Sequence, residues 1–202
     1  FYAAAAVFVA GVIWRLAGIL LMGRKPDLAP PRGSAAAGFF KGNLRHFLPR
    51  GLFAQRTWMH LLGGYAFHLG LFVLVFFAVP HIAFIERITG LSWPGLPRWG
   101  FIIAAEVAFA GLIVLWVRRF SDPVMRQISD WGDHAGSWLT FLVMLTGCLA
   151  LQEAHDPLRL IHMLFVNIWL IYFPFSRLMH AFTFFLSRGA TGASYGRKGM
   201  NP

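Results

Sequence analysis

Four of the eight histidines stand inside strongly apolar stretches: His68 in YAFHLGLF, His81 in AVPHIAF, His162 in LRLIHMLF and His180 in FPFSRLMH. Ionisable groups at membrane depth are expensive to bury, so they usually have a partner or a task. Neutral imidazole is a good ligand for transition metals, and two imidazoles approaching from opposite sides are the axial set of a six-coordinate haem iron. Cys148 is the only cysteine and no CxxCH occurs, so neither a disulfide framework nor covalent haem attachment is possible within this chain. A haem here would be held noncovalently. It needs close backbone approach, for which Gly63, Gly64 and Gly70 are candidates.

The elements that must position these residues follow from composition. The 202 residues are 57% hydrophobic and only 13% charged, too apolar for an ordinary soluble domain of this size. Stretches long enough to cross a bilayer, about 20 residues each, fall at residues 1–22, 58–85, 99–117, 134–151 and 158–186. The expectation is all-α: a single membrane domain over 1–202 built as a bundle of five transmembrane helices, with a basic loop at 23–57 and a tail at 187–202. The first stretch lacks a basic n-region and a cleavage site and is read as a spanning helix rather than a signal peptide.

Net charge is +10, but the basic residues collect between the apolar runs, which argues against nucleic acid and for membrane topology. One side holds Arg24, Lys25, Arg32, Lys41, Arg45, Arg50, Arg56, Arg118, Arg119, Arg126, Arg177, Arg188, Arg197 and Lys198; the other holds Arg87, Arg98 and Arg159. Cytoplasmic loops carry the Lys and Arg excess, so the amino terminus is expected outside and the carboxyl terminus in the cytoplasm. The basic loop and tail would form a docking surface for a cytoplasmic partner.

This orientation sets His68 at the level of His180, near the cytoplasmic side, and His81 at that of His162, near the outer side. The eighteen-residue interval between His162 and His180 is five helical turns, which puts both on one face of a continuous helix, about 27 Å apart. The thirteen residues from His68 to His81 leave that pair off a common face, although Pro80 would kink the helix between them. His155, in LQEAHDPLRL, is the reserve outer ligand. His46, His60 and His134 read as loop or interface residues. Trp93, Trp99, Trp131, Trp138 and Trp169 fit an interfacial belt or bundle packing, and Arg15 and Glu106 are intramembrane charges in need of partners.

The segment LRLIHMLFVNIWLIYFPFSRLMH resembles the last helix of the respiratory nitrate reductase gamma subunit family, the eighteen-residue interval included. FHLG around His68 and the loop RRFSDPVMRQIS are also similar, and the resemblance covers about residues 58–188. It implies a membrane cytochrome with two haem b groups. Such a subunit takes electrons from menaquinol or ubiquinol at the outer side and delivers them to a cytoplasmic iron–sulfur or catalytic subunit, in a bacterial or archaeal cytoplasmic membrane. His68, His162 and His180 match the family's ligand positions. At the fourth offset this chain has Ala78, so His81 is taken from depth and residue type. The fold also serves relatives in sulfur metabolism and heterodisulfide-type complexes.

Arg177, three residues before His180, would pair with a propionate of the inner haem, or else snorkel to the membrane edge. Glu86, Arg87 and Arg159 are candidates for a quinone site. Two other readings remain open on the residues alone: a haem-free anchor or proton-relaying transporter, and a single-haem cytochrome using only His68 and His180.

Overall fold

A computed structural model describes residues 1–23, 27–47, 51–151 and 156–201, apart from the side chains of residues 52–54 and 156. The chain is 84% helical, with no strand among the described residues. The α-helices in order are α1 Tyr2–Leu21, α2 Ala35–Phe47, α3 Gly51–Phe77, α4 Val79–Thr89, α5 Arg98–Ser121, α6 Pro123–Ile128, α7 Trp131–Ala150, α8 Asp156–Tyr172 and α9 His180–Arg197. Two short 3-10 turns, Phe173–Phe175 and Arg177–Met179, separate the last pair. His155 falls outside the described residues, as do Arg24, Lys25 and Arg50.

Four segments among the described residues are long and apolar enough to cross a membrane: Tyr2–Leu21, Gln55–Phe77, Arg98–Ser121 and Pro157–Phe175. No more than 17% of any of these windows is buried inside the protein. Apolar helices that bury so little of themselves against protein find their solvent in lipid, and the chain is a multi-pass membrane protein. The expected fourth span coincides with α7 but is not among the four. Its first turn carries Asp133 and His134, and its interior carries Ser137, Thr140 and Thr146.

The contacts divide the chain into two units. The first comprises residues 1–55 and 170–202. In it, α2 lies against α9 with glycine facing glycine: a Cβ on Gly38, Gly42, Gly192 or Gly196 would collide with backbone of the opposite helix. Helices without side chains at their seam approach closely enough for backbones to touch. The tail expected at 187–202 is therefore mostly helix α9. Arg197 fastens the preceding segment by donating to the carbonyls of Asp27 and Ala29 at 3.0 and 2.8 Å. Elsewhere in this unit Gly11 of α1 abuts the ring of Pro174, and Phe173 meets Phe8 and Phe182 edge-to-face, the latter two tilted against each other.

The second unit, residues 56–169, is built on another small-residue seam. Gly63 and Gly70 of α3 meet Ala104, Ala108, Gly111 and Val114 of α5. Leu74, Ala108 and Met144 form its buried centre, with Phe67, Leu71, Phe101 and Cys148 packed around them. The connection RRFSDPVMRQISDWGD, expected as a polar loop, is a specified corner. Asp122 caps α6 through the amides of Val124 and Met125, and Asp130 and Asp133 form a reciprocal capping box on α7. Arg119 ties the corner to both sides, 3.2 Å from Asp133 Oδ1 and 3.2 Å from Ser129 Oγ.

Two expectations about continuity are corrected. The second stretch, expected as one helix over 58–85 kinked at Pro80, stops at Phe77 and restarts at Val79 with Ala78 extended (φ −74°, ψ 127°), because Pro80 has no amide proton and settles into the first turn of a new helix. The fifth stretch, expected unbroken over 158–186, stops at Tyr172. Pro174 tightens the chain into a 3-10 turn and Ser176 goes extended (φ −115°, ψ 177°), its hydroxyl accepting from the Leu178 amide. The five-turn argument placing His162 and His180 on one helical face therefore does not hold.

Candidate haem-ligating site

The break at Ala78 strips three carbonyls of their helical donors. In a continuous helix the carbonyls of Val75, Phe76 and Phe77 would accept from residues 79, 80 and 81. Instead the amide of His81 turns to the Ala78 carbonyl at 2.9 Å, and Pro80 has nothing to give. The vacated acceptors are taken by His81 Nδ1–H on Val75 (2.9 Å), Trp93 Nε1–H on Phe76 (2.7 Å) and the Leu96 amide on Phe77 (3.2 Å). Unpaired carbonyls in an apolar setting are costly. The proline thus creates the acceptor that fixes the His81 ring, and the segment 91–97 folds back to satisfy the rest. Trp93, expected as a belt or packing residue, has this specific task. Trp93→Phe should leave the Phe76 carbonyl orphaned and destabilise the protein by about 1–3 kcal/mol, read as a lower unfolding temperature in detergent.

His162 lies in α8 and meets α7. Its Nδ1 is 3.2 Å from Thr146 Oγ1, and its ring edge rests on Gly147, where a Cβ would lie 3.0 Å from Cε1. Farther along, Trp169 Nε1 donates to Thr140 Oγ1 at 3.0 Å, a second polar tie between the same helices.

The structure brings His81 and His162 together, with ring centroids 6.2 Å apart and planes 24° from parallel. Both rings engage Nδ1 in a hydrogen bond, which favours the tautomer with an unprotonated Nε2 and is the usual arrangement of a metal-ligating histidine. His46 in α2 makes a comparable Nδ1 bond to the Gly42 carbonyl at 2.6 Å, so that bond alone does not mark a ligand. His81 and His162 differ from it in that each has a second imidazole beside it. Among the described residues no cluster of three or more His, Cys, Asp or Glu side chains is placed to hold a metal ion.

His68, half-buried on α3, donates Nδ1–H to the Gly64 carbonyl at 2.7 Å and stands edge-to-face with Phe67. His180, at the start of α9 in the other unit, bonds through Nδ1 to the Arg177 carbonyl at 2.8 Å. Of the three glycines expected to admit a haem, Gly63 and Gly70 are used up by α5, whereas a Cβ on Gly64 would meet nothing within 4 Å. Glu86 and Arg87 are exposed in the last turns of α4, which ends at Gly90 in the left-handed region (φ 75°), and Arg159 is exposed near the start of α8.

Comparison with known proteins gives two relatives. A protein of Nitratidesulfovibrio vulgaris (strain Hildenborough) is 28% identical, over 95% of this chain and 83% of its own length. An Archaeoglobus fulgidus protein described as an Hdr-like menaquinol oxidoreductase cytochrome b-like subunit is 24% identical, over 79% of this chain. The chain has a distant cytochrome b-like homologue. The match spans 59% of the archaeal protein's own length. No protein-family model matches, and no solved structure matches.

Proposed function

We propose that this chain is a membrane cytochrome b subunit that carries electrons between quinol at the outer side and a cytoplasmic iron–sulfur or catalytic partner, with two haem b groups. The observation that carries the reading is the facing pair His81 and His162 with both Nδ1 atoms engaged. The description of the archaeal relative supports the quinol and cytochrome b parts of it. That description favours a partner of the Hdr-like kind over the nitrate reductase that the sequence resemblance implied.

In this reading five helices span a bacterial or archaeal cytoplasmic membrane, α7 completing the four, with the amino terminus outside and the carboxyl terminus in the cytoplasm. His81 and His162 bind the outer haem; His68 and His180 bind the inner one, on the sequence argument of depth and resemblance. Bound haem iron supplies one-electron exchange. Menaquinol or ubiquinol gives up two electrons and two protons and leaves as quinone. Glu86 takes a proton at the outer surface, and Arg87 and Arg159 hold the head group. Arg177 balances a propionate charge. With protons released outside and electrons delivered inside, the reaction moves charge across the membrane. The cationic residues of the first loop and α9 face an acidic partner surface and anionic lipid head groups.

The test is a pyridine haemochrome assay with protein quantitation on the purified complex, followed by addition of a menaquinol analogue under anaerobic conditions. Two b haems per chain, reduced by the quinol, are expected. One haem would reduce the claim to a single-haem cytochrome, and none would replace it with the anchor or proton-relay reading.

A further inference from the structure

We propose that Thr146 and Gly147 form a positioning seat for His162, in which the Thr146 hydroxyl tunes how strongly the imidazole donates to a bound metal. This rests on His162 as a haem ligand. The hydroxyl of Thr146 has one proton, and the Leu142 carbonyl, 2.7 Å away, takes it within α7. What Oγ1 presents to His162 Nδ1 at 3.2 Å is a lone pair, so Nδ1–H donates and Nε2 is left basic. The Val143 carbonyl, 3.2 Å from the same hydroxyl, is a second acceptor for its proton.

Thr146 is buried, at 8% exposure, so water does not compete for this contact. The next residue supplies the steric half of the seat. A Cβ on Gly147 would stand 3.0 and 3.3 Å from Cε1 and Nδ1, tighter than ordinary contact, and 3.5 Å from Nε2, in ordinary contact. One polar contact fixes the tautomer, and the bare Cα beside it fixes the tilt. His81 is held differently, by the peptide carbonyl of Val75 at 2.9 Å, an acceptor that is not itself a side chain. The pair is thus asymmetric, and its adjustable half lies on α7. An acceptor on Nδ1 makes the ring a stronger donor and favours the more oxidised metal; weakening the acceptor should therefore raise the reduction potential.

Thr146→Val, Thr146→Ser and Gly147→Ala in the intact complex test this, with haem content, the midpoint potential of each haem and the low-spin ferric EPR signal as readouts. Thr146→Val should keep two haems and raise one midpoint while leaving the other unchanged; Thr146→Ser should restore it. Gly147→Ala should change the EPR signal of that same haem. If Thr146→Val moves neither midpoint, or Thr146→Ser behaves as Val does, the seat is wrong. His162→Ala separates this from the underlying assignment: two haems retained there would remove His162 as a ligand altogether.

Discussion

His81→Ala should lose one of the two haems, and His155→Ala should lose none. The expectation follows from the break in the second stretch. Had the helix run unbroken to residue 85, thirteen residues would have left His81 rotated well away from the face of His68. With Ala78 extended, α4 sets off in its own direction, and the His81 ring faces His162 at 6.2 Å. His155 has the right residue type and chain position for the reserve ligand, so only the pair of variants separates the two assignments. The remaining haem in His81→Ala should keep its spectrum and its midpoint, because its ligands lie elsewhere in the chain. Retention of both haems in His81→Ala with loss in His155→Ala would transfer the outer ligand to the connection before α8. The same logic extends to a conservative change: His81→Met keeps a ligand of lower basicity and should hold the haem at a raised potential.

How much of this was legible in the sequence depends on the range of the interaction. Membrane class follows from composition, because apolar residues at this density cannot be satisfied by water. The facing of His81 and His162 was legible as depth, since antiparallel helices of known length place residues by counting. The two helix breaks were half legible. Pro80 and Pro174 announce some disturbance, but the size of a kink depends on which donors replace the lost ones, and those donors are Trp93 and Leu96, distant in the chain. At Pro174 the turn is fixed by Ser176 and by packing against Gly11, again a partner that no local pattern reveals. Thr146 and Gly147 were not legible at all. A threonine and a glycine in LVMLTGCLA read as ordinary helix packing until α8 is laid beside them. The glycines expected to admit a haem show the same limit: three looked alike in sequence, and only α5 decides which of them faces open space.

That decision yields the sharpest contrast on one helix. Gly70→Leu should disrupt the second unit, whereas Gly64→Leu should leave it folded and still cost a haem. At Gly70 a Cβ would already lie 2.7 Å from the Ala104 carbonyl and 2.8 Å from the Ala108 amide, both backbone of α5, which has no rotamer to change. Overpacking costs about 1–3 kcal/mol where side chains yield, and more where backbone must move. Separation of α3 from α5 would also open the centre around Leu74, Ala108 and Met144. At Gly64 a side chain has room, and removing a helical glycine gains about 0.5–1 kcal/mol. Gly64→Ala should therefore unfold at an equal or higher temperature than the unaltered protein. Leucine at the same position projects beside His68, whose Nδ1 rests on the carbonyl of that very residue at 2.7 Å. A flat macrocycle on His68 and a leucine one turn away compete for one space, so Gly64→Leu should keep its unfolding temperature and lose one haem. If Gly64→Leu keeps both haems, the open face beside His68 belongs to lipid, and His68 ceases to be the better-placed inner ligand.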